Sequence, residues 1–284
     1  MPLDAADLAW FRRGEVENPT FWRRIGGMPD LAGKAVLDVG CGLGSLCVDM
    51  ARAGASRVVG IDIDARAVAF ARAYVDERVP DLAPRLALCA TELGALDERG
   101  FDVVTSKDSF EHILDLPGVL GEISARLRPG GRLYAGWGPL YHSPMGDHGR
   151  TGALVPWGHV LVPERLLLRR LGVASVQELG LNQLTIGDYR RIFAASGLRV
   201  VSLGVNRSDH PVSRLFSLAL RHAHLGVLEK YLTHNCYAVL ERPADAQQTS
   251  QPNGPPAPVS FVAAPGASVS RLSAPAARRP RARP

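Results

Sequence analysis

Between residues 35 and 138, short apolar runs alternate with stretches of helical spacing, and this alternation limits the fold more than any other feature. "AVLDVG" (35–40) reads as a buried strand, "GSLCVDMARAG" (44–54) as a helix closing on Gly54, and "RVVGIDI" (57–63) as a second strand. "ARAVAFARAYVDERV" (65–79) has apolar positions at helical spacing. A third strand is expected at 85–91 and a fourth at 101–108. A helix over 116–131 should end at Pro129-Gly130-Gly131, before a fifth strand at 132–138. Strands alternating with helices of this length imply parallel βαβ units, and right-handed crossovers wind them into an α/β doubly wound sheet.

After Gly138 the alternation stops. Residues 139–183 are dense in Gly, Pro, His and aromatics, and a connection this long inside a compact domain suggests a lid or binding loop. Regular structure should resume with a helix (185–197), a strand (198–205), a helical stretch (212–232) and a last strand (234–242). The expected organisation is an N-terminal helical cap (1–32), a ligand-binding domain (33–242) with a substrate lid (139–183), and a tail (243–284). In the cap, Trp10, Phe11, Phe21 and Trp22 are expected to pack on the core. The tail is rich in Pro, Ala, Ser and Gly, a composition that cannot bury enough surface to order itself.

The formal net charge is +5. Arg271, Arg278, Arg279, Arg281 and Arg283 against Asp245 put +4 of it in the tail, leaving +1 for residues 1–242. A body so near neutrality argues against a nucleic-acid-binding face. No apolar run reaches the roughly 18 residues of a membrane span. "MPLDAADLAWFRRGE" lacks the basic and apolar regions of a secretory signal. Cys41, Cys47, Cys89 and Cys236 lack CxxC spacing, so reduced thiols in a cytoplasmic protein are expected.

Open parallel sheets bind ligands beyond the C-terminal ends of their strands. Asp38 to Gly44 lies at such an end, with glycines at 40, 42 and 44, flanking Cys41 and Leu43. Glycine permits positive φ and close approach of a ligand to the backbone. Asp62, at the end of the next strand, suits a ribose diol, so the ligand should contain a nucleoside. The dinucleotide fingerprint G-x-G-x-x-G is not met, because Ser45 holds its third glycine position. Asp38 would repel a pyrophosphate and attract the ammonium of a methionine moiety. The electrostatics favour a zwitterionic sulfonium ligand.

"VLDVGCGLGS", "VVGIDID", "FDVVTSKDSFEHI" and "LRPGGRLYAGW" together resemble the ordered motifs of class I S-adenosylmethionine-dependent methyltransferases, over about residues 33–138 with weaker continuity to 242. The resemblance implies a seven-stranded Rossmann-like sheet with its last strand antiparallel. It implies that Gly40, Gly42 and Gly44 line the methionine moiety, that Asp62 holds the ribose, and that Ile63 packs on the adenine. Cys89 stands where the family often has an acid for the adenine amine, so Ala90 and Thr91 backbone groups must do more, or Glu92 must reach in. Ser106, Lys107 and Asp108 should lie beside the cofactor.

Methyl transfer to a hydroxyl or amine needs alignment and usually a base. In the insertion, Tyr141, His142, Asp147, His148 and His159 come close together in sequence. His148 is the expected base, oriented by Asp147, with His142 and His159 next. After strand four, Asp108, Glu111 and His112 allow two readings. They border the cofactor and cap the following helix, or they hold a divalent metal, as a similar string does in ubiquinone-pathway and small-RNA methyltransferases. The apolar insertion points to an aromatic or apolar small-molecule acceptor and O-methylation. A macromolecular methyltransferase acting on RNA or protein, and a non-catalytic cofactor-binding subunit, stand as alternatives.

Overall fold

The structure, a computed structural model, describes residues 3–206 and 228–244. Most of the expected helical stretch 212–232, with His210, His222 and His224, lies outside the described residues, as does the tail from Asp245. Met1–Thr249 form one compact unit, and the second, Ser250–Pro284, lies wholly outside them.

Seven strands form one sheet in the order β3-β2-β1-β4-β5-β7-β6. They are β1 (Ala35–Val39), β2 (Arg57–Asp62), β3 (Leu86–Ala90), β4 (Phe101–Lys107), β5 (Leu127–Trp137), β6 (Arg199–Val205) and β7 (Cys236–Glu241). The first five pair in parallel, and β7 inserts antiparallel between β5 and β6. Strand side chains alternate between faces, and both faces here are covered. Val36, Val58 and Val103 therefore join one core with Phe11, Trp22, Met50 and Tyr74. Their neighbours Leu37, Val59 and Val104 join the other with Phe110, Ile123, Trp137 and Phe193.

Helices α2 (Ser45–Arg52), α3 (Ala65–Arg78) and α4 (Leu116–Arg126) make the crossovers. Asp64 caps α3 by accepting from the Arg66 and Ala67 N–H groups, which fixes the chain as it leaves β2. α2 starts instead from Gly44 at φ 84°, with no side-chain cap, so its first N–H groups point toward the loop before it. α1 (Ala5–Ile25) is capped by Asp4 and stopped by Gly26 in the left-handed region. The insertion carries two short helices, α5 (Gly158–Leu161) and α6 (Glu164–Leu171). α7 (Ile186–Ala195) then opens on a Thr185–Asp188 capping box, and α8 (Glu229–Leu232) precedes β7.

One boundary departs from expectation. α4 ends at Arg126, and "LRPGG" belongs to β5 rather than to the helix. The register between β4 and β5 shifts between Phe101 and Val103, a bulge that tolerates Pro129. Gly130 N–H donates to the Arg242 carbonyl, and Arg242 N–H donates to that of Gly131, so Pro-Gly-Gly is stitched to the end of β7.

Candidate active site

A cavity of about 900 Å³ opens at the C-terminal ends of β1, β2 and β4. Its floor is the loop after β1. Gly40, Gly42 and Gly44 have φ of 80°, 51° and 84°, and a Cβ on Gly40 would collide with the Ser109 side chain. The loop is held from the next strand. Asp62 Oδ2 accepts from Gly42 N–H at 2.8 Å, and Oδ1 accepts from Asp64 N–H at 2.9 Å. Carboxylate oxygens have further lone pairs, which leaves Asp62 able to take a diol. Beside it Ile63 is 77% exposed at the cavity wall, an apolar surface that a planar base would cover.

Asp38 lines the same cavity but is buried. Its carboxylate accepts from the Thr105 hydroxyl at 2.7 Å and the Cys47 thiol at 3.3 Å. Burial nevertheless pushes its pKa up to about 6, against the opposing pull of these two bonds and of Lys107. A cation in the cavity would relieve that cost. The methionine ammonium of S-adenosylmethionine meets this requirement, while the glycine loop and Asp62 meet those of its backbone approach and its ribose. The residues present therefore fit this ligand.

On the adenine side, Thr91 and Glu92 line the cavity, and Thr91 N–H donates to the Asp62 carbonyl. Ala90 and Cys89 do not line it. The cavity wall also includes Asp115, which caps α4, Gly118, Val119 and Glu122 on α4, and Trp10, Gly14 and Glu17 on α1, which sequence reasoning missed. Phe11, Phe21 and Trp22 pack on the core as expected, whereas Trp10 is 52% exposed on the cavity. A Cβ on Gly14 would collide with the Ser45 hydroxyl, so this glycine lets α1 close over the start of α2. Asp7 and Arg66 make a bidentate pair (2.7 and 3.1 Å) that ties α1 to α3. Lys107 lines the cavity and donates to Asn18 of α1.

The roof is thus α1. None of residues 139–183 lines the cavity, contrary to the expected lid. The insertion folds largely on itself, with Tyr141, Val176 and Leu181 in a small core of their own. His148, His142, Asp147 and His159 accordingly stand outside the cavity. Asp147 does not orient His148: its Oδ2 accepts from the Thr151 hydroxyl and N–H, and its Oδ1 lies 3.9 Å from His159 Nδ1. His148 Nε2–H donates to the Pro139 carbonyl at 3.0 Å, and burial pushes its pKa down to about 4. His159 donates to the Tyr141 carbonyl, and burial lowers the pKa of His142.

The imidazole on the cavity is His112. A carbonyl can only accept, so His112 Nδ1–H donates to Gly180 O at 2.8 Å, which leaves Nε2 unprotonated in the neutral ring. Burial lowers its pKa, keeping the ring neutral near pH 7. Asp108 opens on the same space from a strained backbone at φ 54°, its pKa raised by poor solvation. Glu111 is buried behind it, with Oε1 accepting from Gly138 N–H at 3.0 Å.

Asp108, Glu111 and His112, read in the sequence either as a cofactor border and helix cap or as metal ligands, do not converge as a ligand set. Among the described residues, no three His, Cys, Asp or Glu side chains converge to hold an ion. No helix among them is long and apolar enough to cross a membrane.

Residues 37–133 match the family described as a methyltransferase domain. A ubiquinone biosynthesis O-methyltransferase of Neisseria meningitidis is 34% identical over 135 residues, covering 45% of this chain and 56% of that protein. The chain thus spans about half the length of the curated relatives it matches. An S-adenosylmethionine-dependent methyltransferase from Mesorhizobium loti superposes with a TM-score of 0.52 at 19% identity, over 80% of this chain and 97% of that one. A geranyl diphosphate C-methyltransferase from Streptomyces coelicolor A3(2) gives 0.55 at 17% identity, over 85% and 89%. At these identities, the structural likeness concerns the fold.

Proposed function

We propose that this chain, which has the class I S-adenosylmethionine-dependent methyltransferase fold and carries a methyltransferase domain at residues 37–133, methylates a hydroxyl on a small, largely apolar molecule. The observation that carries this reading is a neutral imidazole, His112, with Nε2 unprotonated, on the cavity that also holds the glycine loop and Asp62. The ubiquinone biosynthesis relatives, named as O-methyltransferases, support a hydroxyl acceptor.

S-adenosylmethionine, when bound, supplies an electrophilic methyl group on a sulfonium sulfur. The chain's task is to hold the acceptor in line with that methyl and exclude water. Asp62 and the 40–44 loop fix the donor end, Asp38 offsets the ammonium charge, and α1 with Trp10 closes the outer side. His112 Nε2 takes the hydroxyl proton as the acceptor oxygen bonds the methyl carbon. The imidazolium formed at His112 would carry the positive charge that bound S-adenosylmethionine would lose with its methyl group and its C–S bond.

The first test is transfer of labelled methyl from S-adenosylmethionine into a cell extract separated by mass. Label in the low-mass fraction is expected, and label in RNA or protein alone would overturn the small-molecule assignment. With the acceptor identified, His112→Ala should lose about 10²-fold or more in turnover while binding the donor as before. A loss below threefold would remove His112 from the role of base.

A further inference from the structure

The segment that ends the insertion, although it forms no part of the cavity wall, grips the loop bearing His112 from three directions. Asn182 N–H donates to the Glu111 carbonyl at 2.9 Å. Its side-chain amide donates to the carbonyls of Phe110 at 2.6 Å and Ile113 at 2.9 Å, on either side of His112. Its Oδ1 accepts from Leu184 N–H and from the Tyr189 hydroxyl. The residue is buried with both amide hydrogens and its oxygen used. Two residues earlier, Gly180 stands at φ 68° and presents its carbonyl to His112 Nδ1. A Cβ on Gly180 would collide with the Arg150 guanidinium, which donates to the Leu179 carbonyl.

We propose that Gly180 and Asn182 position the reacting imidazole: the Gly180 carbonyl and the Asn182 amide hold His112 with Nδ1 protonated and Nε2 as its free acceptor. The inference rests on His112 being the base, and Asn182 is a positioning residue because it acts through the 110–113 loop. Two hydrogen bonds to carbonyls flanking one side chain fix the loop's height, and the third partner fixes the ring's rotation. Removing the amide would take the side-chain donor from the Ile113 carbonyl and leave that of Phe110 only the longer bond from the Tyr189 hydroxyl, at 3.3 Å. Packed around His112 are the His148 ring, with centroids 5.1 Å apart, and Arg150, both from the insertion. Glu111 adjoins it on its own loop, and Asp108, the α4 cap Asp115 and Glu122 of α4 line the cavity with it.

The test is nuclear magnetic resonance of the full chain labelled with ¹⁵N and ¹³C in histidine, with His112 assigned by comparison with His112→Asn. In the wild type the neutral ring should be the Nδ1–H tautomer, the minor form of free imidazole, and should titrate below the ordinary value. In Asn182→Ala and the milder Asn182→Ser, its midpoint should climb by about half a pH unit or more toward the free imidazole value. S-adenosylmethionine binding should persist in both. A wild-type ring in the Nε2–H form would overturn the proposal, as would an unmoved midpoint in a folded variant. Should neither variant fold, the wild-type tautomer decides. Because tautomer and midpoint are read without turnover, this inference and the base assignment can fail separately.

Discussion

Glu111 gives the sharpest physical test of the site's interior. It is buried beside Asp108, with Oε1 on Gly138 N–H and Oε2 without a partner, and burial pushes its pKa from an ordinary 4.5 up to about 8. The folded chain therefore holds a proton on Glu111 that the unfolded chain releases above pH 4.5. Stability from this group is fully present below pH 4.5 and is lost as pH rises toward 8, at about 1.4 kcal/mol per pH unit. From pH 5 to pH 8 the loss is about 4 kcal/mol. Glu111→Gln keeps the oxygen that accepts from Gly138 and removes the titration. Urea unfolding of both chains at fixed ionic strength, followed by tryptophan fluorescence, measures the difference at each pH. The variant should gain about 3–4 kcal/mol relative to wild type between pH 5 and pH 8. Asp38, whose pKa is raised to about 6, titrates in both chains and cancels from the difference. Curves that stay parallel within about 0.5 kcal/mol would refute the claim that Glu111 is protonated in the fold.

Three further outcomes separate the roof's packing from its function. Gly14→Ala should cost about 1–3 kcal/mol by forcing α1 off Ser45, and adding Ser45→Ala should return most of it in a double-mutant cycle. Trp10→Ala should leave stability within about 0.5 kcal/mol, since the ring is half exposed, but weaken S-adenosylmethionine or acceptor binding by calorimetry. Phe11→Ala, one residue on and stacked on Tyr74 at 3.8 Å, should instead cost about 3–5 kcal/mol in urea unfolding.

Strands β1 to β4 were legible because parallel strands covered on both faces read as unbroken apolar runs, such as Val36-Leu37 and Val58-Val59. The glycine loop and Asp62 were legible because backbone conformation and a strand-end carboxylate are local properties. The start of β5 was not, because Pro-Gly-Gly reads as a helix stop, and only pairing with β7 across more than a hundred residues makes it strand. The expected pairing of His148 with Asp147 does not form, for a similar reason. Adjacency to Asp147 in sequence is no guide to contact when His148 sits at φ 53° and Asp147 turns back to Thr151, four residues on. His112 was seen only as a possible ligand or cap, since its partner, Gly180, is 68 residues away. The roof made by α1 depends on how a 21-residue helix crosses α2, which no periodicity specifies.

The walls that would choose an acceptor and the strap behind the base come from separate stretches of chain. α1, α4 and the loop after β3 shape the space, while Gly180 and Asn182 reach the histidine from behind. Selectivity and turnover are therefore separately adjustable in this architecture. On the proposed reading, changes at Trp10, Val119 or Glu122 alter the cavity wall without touching the bonds that Gly180 and Asn182 make to the His112 loop.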